Sequence, residues 1–249
     1  MNFSWIRVGA IVRKELQDYR RNRFVIATMA AVPVVFITLP TIQLIAANTT
    51  NKAVTLHIGL SLLYLLVIPV TMPSVVCAYS VVGEREQGTL EPLLSTPVRS
   101  EEFVIAKALA AFTPTILIAY SVFGIFLAIA GLFAHAVIVS AIFTGSHVLV
   151  QLLFTPLLAG WAIWVGIAVS TRSTDVRVAQ QLGVLGSLPP LAIVALMSLN
   201  VISESVRLAI GSVRLAIGLA AALLVFDLLA WRVVARMFDR ERLIVNKRS

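Results

Sequence analysis

The stretch ALAAFTPTILIAYSVFGIFLAIAGLF, residues 108–133, contains no charged side chain and only a few polar ones. A helix that crosses the hydrocarbon core of a bilayer needs roughly 20 mostly apolar residues, and this run exceeds that length. Its apolar character is continuous, without the alternation of polar residues that a barrel strand shows, so a helix is favoured over a transmembrane strand. The stretch therefore predicts one membrane-spanning helix.

Five further apolar runs of this kind surround it, and 59% of the 249 residues are hydrophobic against 13% charged. An average soluble protein carries about 25% charged residues, so lipid must be part of the solvent. The predicted fold is all-α, a polytopic membrane protein with six transmembrane helices in one domain, residues 24–231. The predicted spans are Phe24–Ala47, Leu56–Val82, Ala108–Phe133, Val148–Ser170, Val178–Leu199 and Leu208–Trp231.

The lysines and arginines predict the orientation of these spans. Seventeen of the 20 lie on one side of the predicted bilayer, and the other side holds Lys52, Arg207 and Arg214. Basic residues concentrate on the cytoplasmic side of membrane proteins. Both termini, including the basic tail at 232–249, are therefore predicted to be cytoplasmic, in the cell (plasma or inner) membrane. This bias accounts for the net charge of +8 without any nucleic acid partner.

Residues 1–23 predict a cytoplasmic amphipathic helix that lies in the membrane interface. Its apolar stripe consists of Trp5, Val8, Val12, Leu16 and Tyr19, spaced by three and four residues. Its basic face consists of Arg7, Lys14 and Arg21. Such a helix is typical of the lipid headgroup layer, and its basic face is predicted to meet anionic lipid or a cytoplasmic partner.

The segment GEREQGTLEPLLSTPVRS, residues 83–100, belongs to the predicted cytoplasmic loop 83–102. Gly83 is predicted to end the second span, and Gly88 allows a sharp change of direction. Ser100 is predicted to cap the next helix, with Glu101 and Glu102 in its first turn, where carboxylates suit the helix dipole.

Between these glycines and Ser100 the loop predicts a short amphipathic helix. Thr89 can cap it, and Pro97 ends it by forcing the preceding residue toward an extended conformation. Its apolar face consists of Leu90, Leu93 and Leu94. Two interpretations remain open from these residues: an element that docks into a groove of a partner protein, or a purely structural loop.

The loop resembles the signature loop of ABC-2 type permeases, the transmembrane subunits of one class of ATP-binding-cassette transporters. The resemblance implies that the loop contains a coupling helix that fits a cleft in an ATPase subunit, and that its glutamates pair with basic groups there. The residues to which the resemblance assigns this coupling are Glu84, Arg85, Glu86, Gly88, Thr89, Leu90, Glu91, Leu93, Leu94 and Pro97.

The chain is predicted to have no enzyme activity and to bind no cofactor of its own. A phosphate-binding loop of the Gly-x-x-x-x-Gly-Lys type requires a lysine directly after a glycine. None of the four lysines, Lys14, Lys52, Lys107 and Lys247, has that position. The resemblance implies that ATP and Mg are bound by a separate ABC ATPase subunit, in two copies. It also implies a second permease subunit, identical or different, within membrane lipid.

Two features inside the spans are candidates for a pathway or a gate. Asp227 is an ionisable group within a predicted span, which is costly and points to function. It is expected near the cytoplasmic end, in reach of the interface or of Arg232. Pro189 and Pro190 lie together in the fifth span, where prolines remove backbone donors, and they predict a break or hinge.

The remaining features predict no chemistry. No metal site is predicted, because His57, His135 and His147 are scattered near the outer face. The direct repeat at 205–218 and the uncharged outer segment at 135–147, which could be re-entrant or interfacial, have no assigned role.

The leading functional hypothesis is a permease subunit that exports a hydrophobic or amphipathic compound. One alternative is a secondary transporter or channel, which would favour acidic groups near mid-bilayer and repeated halves. The other is a membrane anchor or assembly protein that uses the same loop to recruit a cytoplasmic partner without transport.

Overall fold

A computed structural model describes residues 3–45, 51–84, 99–144, 147–198 and 212–237. Within these ranges the chain forms eight α-helices and no strand. They are α1 (Trp5–Arg21), α2 (Arg23–Ile45), α3 (Asn51–Ala78), α4 (Ser100–Phe133), α5 (Ala136–Thr144), α6 (His147–Arg172), α7 (Val176–Ser198) and α8 (Ser212–Met237). A single π-helical turn, Tyr79–Gly83, extends α3.

Six of these helices are long and apolar enough to cross a membrane, which confirms the predicted fold class and number of spans. They are α2, α3, α4, α6, α7 and α8. The third and sixth spans differ from their predicted bounds, because α4 begins at Ser100 rather than Ala108 and α8 continues past Trp231 to Met237. In both cases charged residues lie within a helix that extends beyond its apolar stretch.

The central element of the bundle is α3. Buried residues make up 72% of the most apolar 18-residue stretch of α3. In the other five spans the corresponding share is 17% to 44%. It contacts α2, α4, α6 and α7, while α8 packs mainly on α6. The residues that follow α3 in the sequence are therefore joined directly to the most buried helix of the bundle.

The helices α3, α6 and α7 pack closely where they meet. A Cβ atom at Gly166 of α6 would lie 3.0 Å from the Cβ of Cys77 in α3, and one at Gly183 of α7 would lie 3.3 Å from the Ser74 side chain. Small residues let membrane helices approach closely and gain van der Waals contact. Cys77, the only cysteine of the chain, is buried in this contact, as predicted.

Two of the prolines inside spans are compensated by a neighbouring helix. Pro156 and Pro190 each lack the N–H that would bond to the carbonyl four residues earlier. The Tyr120 hydroxyl donates to the Leu152 carbonyl at 2.9 Å, and the Trp161 indole donates to the Gly186 carbonyl at 3.1 Å. The helix α7 is continuous through Pro189 and Pro190, so the predicted break is wrong, and a hinge there stays a prediction.

The outer segment at 135–147 contains the short helix α5. Its Ile138 and Ile142 are buried in an apolar cluster with Leu44, Ile58 and Phe126. The helix has nine residues and is too short to cross a bilayer. The helix therefore packs against the spans through these two isoleucines and does not itself span the membrane.

Candidate functional site

A network of charged side chains joined by ion pairs lies where α1, the end of α3 and the start of α4 meet. We call this set the charged junction: Lys14, Glu15 and Asp18 of α1, Ser80 and Glu84 at the end of α3, and Lys107 of α4. Helix α1 brings three of them together because its polar residues follow one another over a single turn. The junction lies on the basic, predicted cytoplasmic side of the bundle.

Lys107 is the centre of the charged junction, with only 1% of its surface exposed. Its ammonium group lies 3.0 Å from Glu15 Oε1 and 2.7 Å from Glu84 Oε2. It also lies 4.9 Å from the ring centroid of Phe103, close enough for a cation–π contact. A buried ammonium group needs such partners, because desolvation is costly unless the charge is neutralised and hydrogen-bonded.

The π-helical turn at the end of α3 supplies a further acceptor for Lys107. The Glu84 N–H donates to the Val81 carbonyl rather than to the Ser80 carbonyl four residues earlier. The Ser80 carbonyl accepts a hydrogen bond from Lys107 Nζ at 2.6 Å, and the Ser80 hydroxyl lies 3.3 Å from the same atom. The π turn, a feature often found at functional sites, thus points a backbone oxygen at the buried cation.

Lys14 connects the junction to the solvent. Its ammonium group lies 2.5 Å from Glu84 Oε1, 3.1 Å from Asp18 Oδ2 and 3.4 Å from Glu15 Oε1. Its side chain is 44% exposed, so this end of the network is hydrated. Two lysines therefore share three carboxylates, and Glu84 bridges the buried lysine to the exposed one.

The charged pairs shift the pKa values of Glu84 and Lys14 in opposite directions. Burial alone would raise the pKa of the Glu84 carboxyl, but the ammonium groups of Lys107 and Lys14 outweigh it and the pKa is lowered. Burial alone would lower the pKa of Lys14, but its hydrogen bond to Glu84 and the charges of Glu15 and Glu84 outweigh it and the pKa is raised.

These shifts predict the pH range in which the junction stabilises the fold. Because folding lowers the pKa of Glu84, this carboxyl stabilises the folded protein at pH values above its ordinary pKa of 4.5. The stabilisation is lost as the pH falls through the lowered pKa. Because folding raises the pKa of Lys14, this amine stabilises the folded protein at pH values below its ordinary pKa of 10.5. The stabilisation is lost as the pH rises through the raised pKa. We expect Glu84→Gln to weaken the decline of the thermal unfolding midpoint below about pH 4.5. If the unfolding midpoint of Glu84→Gln fell at acidic pH as steeply as that of the wild type, the ion pairs of Glu84 would not stabilise the fold.

A second carboxylate, Glu102 in the first turn of α4, fixes the start of α1. It is fully buried and accepts two hydrogen bonds from the Arg7 guanidinium, at 2.6 and 3.0 Å. It also accepts the backbone N–H of Ser4 at 2.8 Å and of Arg99 at 3.1 Å. The N-cap of α4 is Arg99, whose backbone N–H is bound by the Glu102 carboxylate. The predicted N-cap at Ser100 is therefore wrong by one residue.

Together these contacts attach Glu84 and Glu102, which lie on either side of residues 85–98 in the sequence, to one helix. Glu84, directly before the segment, is bound to Lys14 of α1, and Glu102, shortly after it, is bound to Arg7 of the same helix. A cleft of 460 Å³ opens beside the first contact, lined by Asp18, Arg21 and other polar side chains of α1 and α3.

A family model described as ABC-2 family transporter protein matches residues 11–210, which is most of the chain and includes the charged junction. The chain belongs to the ABC-2 transporter family. No curated protein matches the sequence. In the ABC-2 family the chain is a membrane subunit that is distinct from the ATPase, so the family implies an ABC ATPase partner and usually a dimer. The protein is accordingly a multi-pass membrane protein and an ABC transporter permease.

Of the coupling residues that the ABC-2 resemblance implied, Glu84 lies within the described part of the chain. Its carboxylate contacts Lys14 and Lys107 of its own chain, so an internal anchoring role is better supported than a pairing with basic groups of an ATPase. The other predicted coupling residues, Arg85, Glu86, Gly88, Thr89, Leu90, Glu91, Leu93, Leu94 and Pro97, lie outside the described residues.

Helix α1 is present in the ABC-2 chain, and two residues of its predicted basic face have partners within the protein. Arg7 and Lys14 bind carboxylates of α4 and α3 while both side chains stay partly exposed. Val8 and Tyr19 of the apolar stripe are buried, whereas Trp5 is exposed. The interfacial position of the helix stays a prediction.

Asp227 lies elsewhere than expected. It is buried beside Gly160 of α6, and a Cβ at that glycine would lie 2.9 Å from Asp227 Oδ2. Because α8 continues to Met237, Asp227 lies ten residues, about 15 Å at 1.5 Å per residue, from that end. Within the described residues it forms no ion pair with Arg232.

Sequence reasoning missed Glu15 and Glu102 as members of the site and gave Lys107 no role there. A signal for them was present, because each is a charged residue beside apolar helix positions, where an unpaired charge is costly. The sequence offered several possible partners for each charge, so it did not indicate which pairs form.

Proposed function

We propose that the protein is the permease subunit of an ATP-driven exporter of a hydrophobic or amphipathic compound. It works with two copies of an ATPase subunit that bind ATP and Mg, and with a second permease subunit. The complex resides in the cell (plasma or inner) membrane, with both termini of the permease in the cytoplasm. Segment 83–102 receives the motion of the ATPase.

The attachment of this segment at both ends carries the proposal. Lys14 holds Glu84 on one side of the segment, and Arg7 holds Glu102 on the other. A partner that pushes on a loosely attached loop moves only the loop, since exposed loops move independently of the fold. Here the same push acts on the end of α3, the start of α4 and the whole of α1.

The central position of α3 supports a transport role for that motion. Lys107 links the end of α3 to α4 through Ser80 and Glu84, so both helices are attached to the same ionic cluster. Because α3 also packs on α2, α6 and α7, a shift of its end reaches most of the bundle. Packed cores transmit such shifts as discrete rearrangements.

The apolar lipid-facing surface supports a hydrophobic or amphipathic compound as cargo. Large apolar side chains are exposed along α2, α4 and α8, as at Leu39, Ile125 and Phe226. The charged residues described above lie mostly toward one end of the spans, which does not suit a hydrated pathway for small ions. A compound already dissolved in the membrane could reach the bundle laterally.

The test of this function uses the tagged full chain, purified from its native membrane with any bound subunits. We expect it to bring down a protein that is labelled by a photoreactive ATP analogue and that hydrolyses ATP. Glu86→Arg or Gly88→Pro is expected to abolish this association or the ATPase activity measured in the complex, because reversed charge or a lost N–H disrupts a docked helix. The matched control is Asp175→Asn, which removes one exposed carboxylate from a predicted cytoplasmic loop outside segment 83–102 and keeps an oxygen that can accept the Arg177 N–H.

Two results would contradict the proposal. Complex formation and ATPase activity that survive both loop substitutions would reject coupling through the segment. An ATPase that binds the chain but never responds to added amphipathic compounds in proteoliposomes would instead favour the anchoring function.

A further inference from the structure

Asp227 is a buried carboxylate in the membrane that neither the charged junction nor the coupling segment explains. It is only 8% exposed, and its side chain faces Gly160. Gly160 lies at the middle of α6, which runs from His147 to Arg172. If α6 crosses the bilayer, the carboxylate therefore lies near the bilayer midplane.

The absence of a side chain at Gly160 provides the room for this carboxylate. Any Cβ at that position would lie 2.9 Å from Asp227 Oδ2 and 3.4 Å from Cγ, which is closer than real Cβ contacts allow. The two helices thus approach each other at a place built around an acidic group and not around an apolar one.

No countercharge neutralises Asp227 among the described residues. Its Oδ1 atom is buried and has no hydrogen-bond partner, and Arg232 is exposed on another face of α8. An unpaired carboxylate in hydrocarbon is costly, and such groups usually belong to a substrate or ion site. The charged junction shows the contrast, because there every buried carboxylate has a cationic partner.

Trp231 lies one helical turn further along α8, on the same face as Asp227. Its indole Nε1 is also buried and without a hydrogen-bond partner. The ring of a tryptophan is the best aromatic partner for an organic cation. The seam between α6 and α8 thus combines a carboxylate that lacks a cation with an aromatic ring that can bind one.

The opposite face of α8 is open to the membrane. Val225, Leu228 and Leu229 are all exposed by half or more of their surface. Helix α8 packs mainly on α6, so a small outward displacement of α8 exposes the seam to compounds dissolved in lipid. An amphipathic cation with an apolar body matches both the apolar surroundings and the buried charge.

We propose that Asp227, with Trp231, forms a recognition site for the positive charge of a lipophilic organic cation between α6 and α8. This inference deepens the proposed export function and rests on it for its biological meaning, because it names the charge class of the cargo. The carboxylate binds the cationic centre, the indole ring contacts it from one turn away, and Gly160 leaves room for the carboxylate itself.

The experiment measures binding to the full chain in lipid nanodiscs, without any ATPase. The probe is radiolabelled tetraphenylphosphonium, and the reference is tetraphenylborate, an anion of nearly the same size and shape. The wild type is expected to bind the cation in preference to the anion. Asp227→Asn is expected to weaken cation binding by about tenfold or more, since a charge-assisted contact is lost. Asp227→Glu keeps the charge and should retain most of the binding.

Two controls make the result specific. Glu101→Gln removes a carboxylate from the surface and should leave cation binding unchanged. If Asp227→Asn does not fold, the wild type alone decides: dicyclohexylcarbodiimide, which labels carboxyl groups in apolar surroundings, should modify Asp227, and the phosphonium should protect it while the borate should not.

Equal binding of cation and anion by the wild type, unchanged cation binding in Asp227→Asn, or labelling without protection would each overturn the proposal. These outcomes are independent of ATPase association. Cation binding without a co-purifying ATPase would reject the exporter function and keep the site, whereas an active complex without cation selectivity would do the reverse.

Discussion

Replacing Lys107 with methionine is expected to lower the free energy of unfolding by about 3 to 5 kcal/mol, the range for removing one partner of a buried ion pair. Methionine keeps the length and the apolar stem of the side chain, so the substitution removes mainly the charge. It leaves the buried carboxylate of Glu15 and one oxygen of Glu84 without their nearest cation. It also leaves the Ser80 carbonyl without the hydrogen bond that it accepts from Lys107.

Cys77 provides the measurement, because it is the only cysteine and is buried. The rate at which a thiol reagent modifies it on heating reports unfolding of the detergent-solubilised protein. The matched variant is Lys14→Met, which removes the other lysine of the junction. Its effect should be much smaller, because its ammonium group is 44% exposed and partly hydrated.

A rescue variant tests the electrostatic cause. Adding Glu15→Gln to Lys107→Met removes one of the stranded charges and should recover part of the lost stability. Equal losses for Lys107→Met and Lys14→Met, or no recovery in the double variant, would show that the junction does not work through a buried ammonium group.

The spans of this protein were predictable because they depend on local composition alone. A run as long and apolar as residues 108–133 cannot stay exposed to water and must enter the bilayer as a helix. All six predicted spans correspond to helices. Their ends were less predictable. The helix α4 begins at Ser100, and Glu102 and Lys107 near its start are neutralised by α1. Composition alone identifies only the apolar run that begins at Ala108.

The charged junction could not be predicted because its pairs join distant parts of the chain. Lys107 and Glu15 are 92 residues apart in sequence, and Lys14 and Glu84 are 70 apart. The pattern of α1 does show that Arg7 and Lys14 share a face, but it does not distinguish lipid phosphate from a carboxylate of the same chain. Only the packing of α1 on α4 decides between them.

The depth of Asp227 shows the same dependence on packing. The apolar run ends near Trp231, which suggested a position close to the cytoplasmic end of the span. The helix nevertheless continues through Arg232 and Arg236, both exposed, and Gly160 receives the carboxylate at the middle of α6. A glycine opposite an aspartate is a long-range fit that the sequence of either helix leaves unspecified.

Substituting Gly166 by leucine is expected to destabilise the bundle by about 3 kcal/mol, at the upper end of the range for overpacking. Even a Cβ there lies 3.0 Å from the Cβ of Cys77 and 3.6 Å from the backbone of Ser74. The backbone of α3 cannot rotate away as a flexible side chain can, and Gly183 of α7 approaches from the other side. The added side chain must therefore separate three helices.

Gly124→Leu is the matched control, because Gly124 lies within α4 and has no atom within 4 Å of its Cβ position. There the substitution should be neutral or stabilising by up to about 1 kcal/mol, since leucine favours the helix over glycine. Thermal unfolding followed by circular dichroism compares the two without relying on Cys77, which contacts the substituted site. Gly166→Ala should give an intermediate loss. A Gly166→Leu protein that unfolds at the wild-type temperature would show that α3, α6 and α7 do not pack as closely as this contact requires.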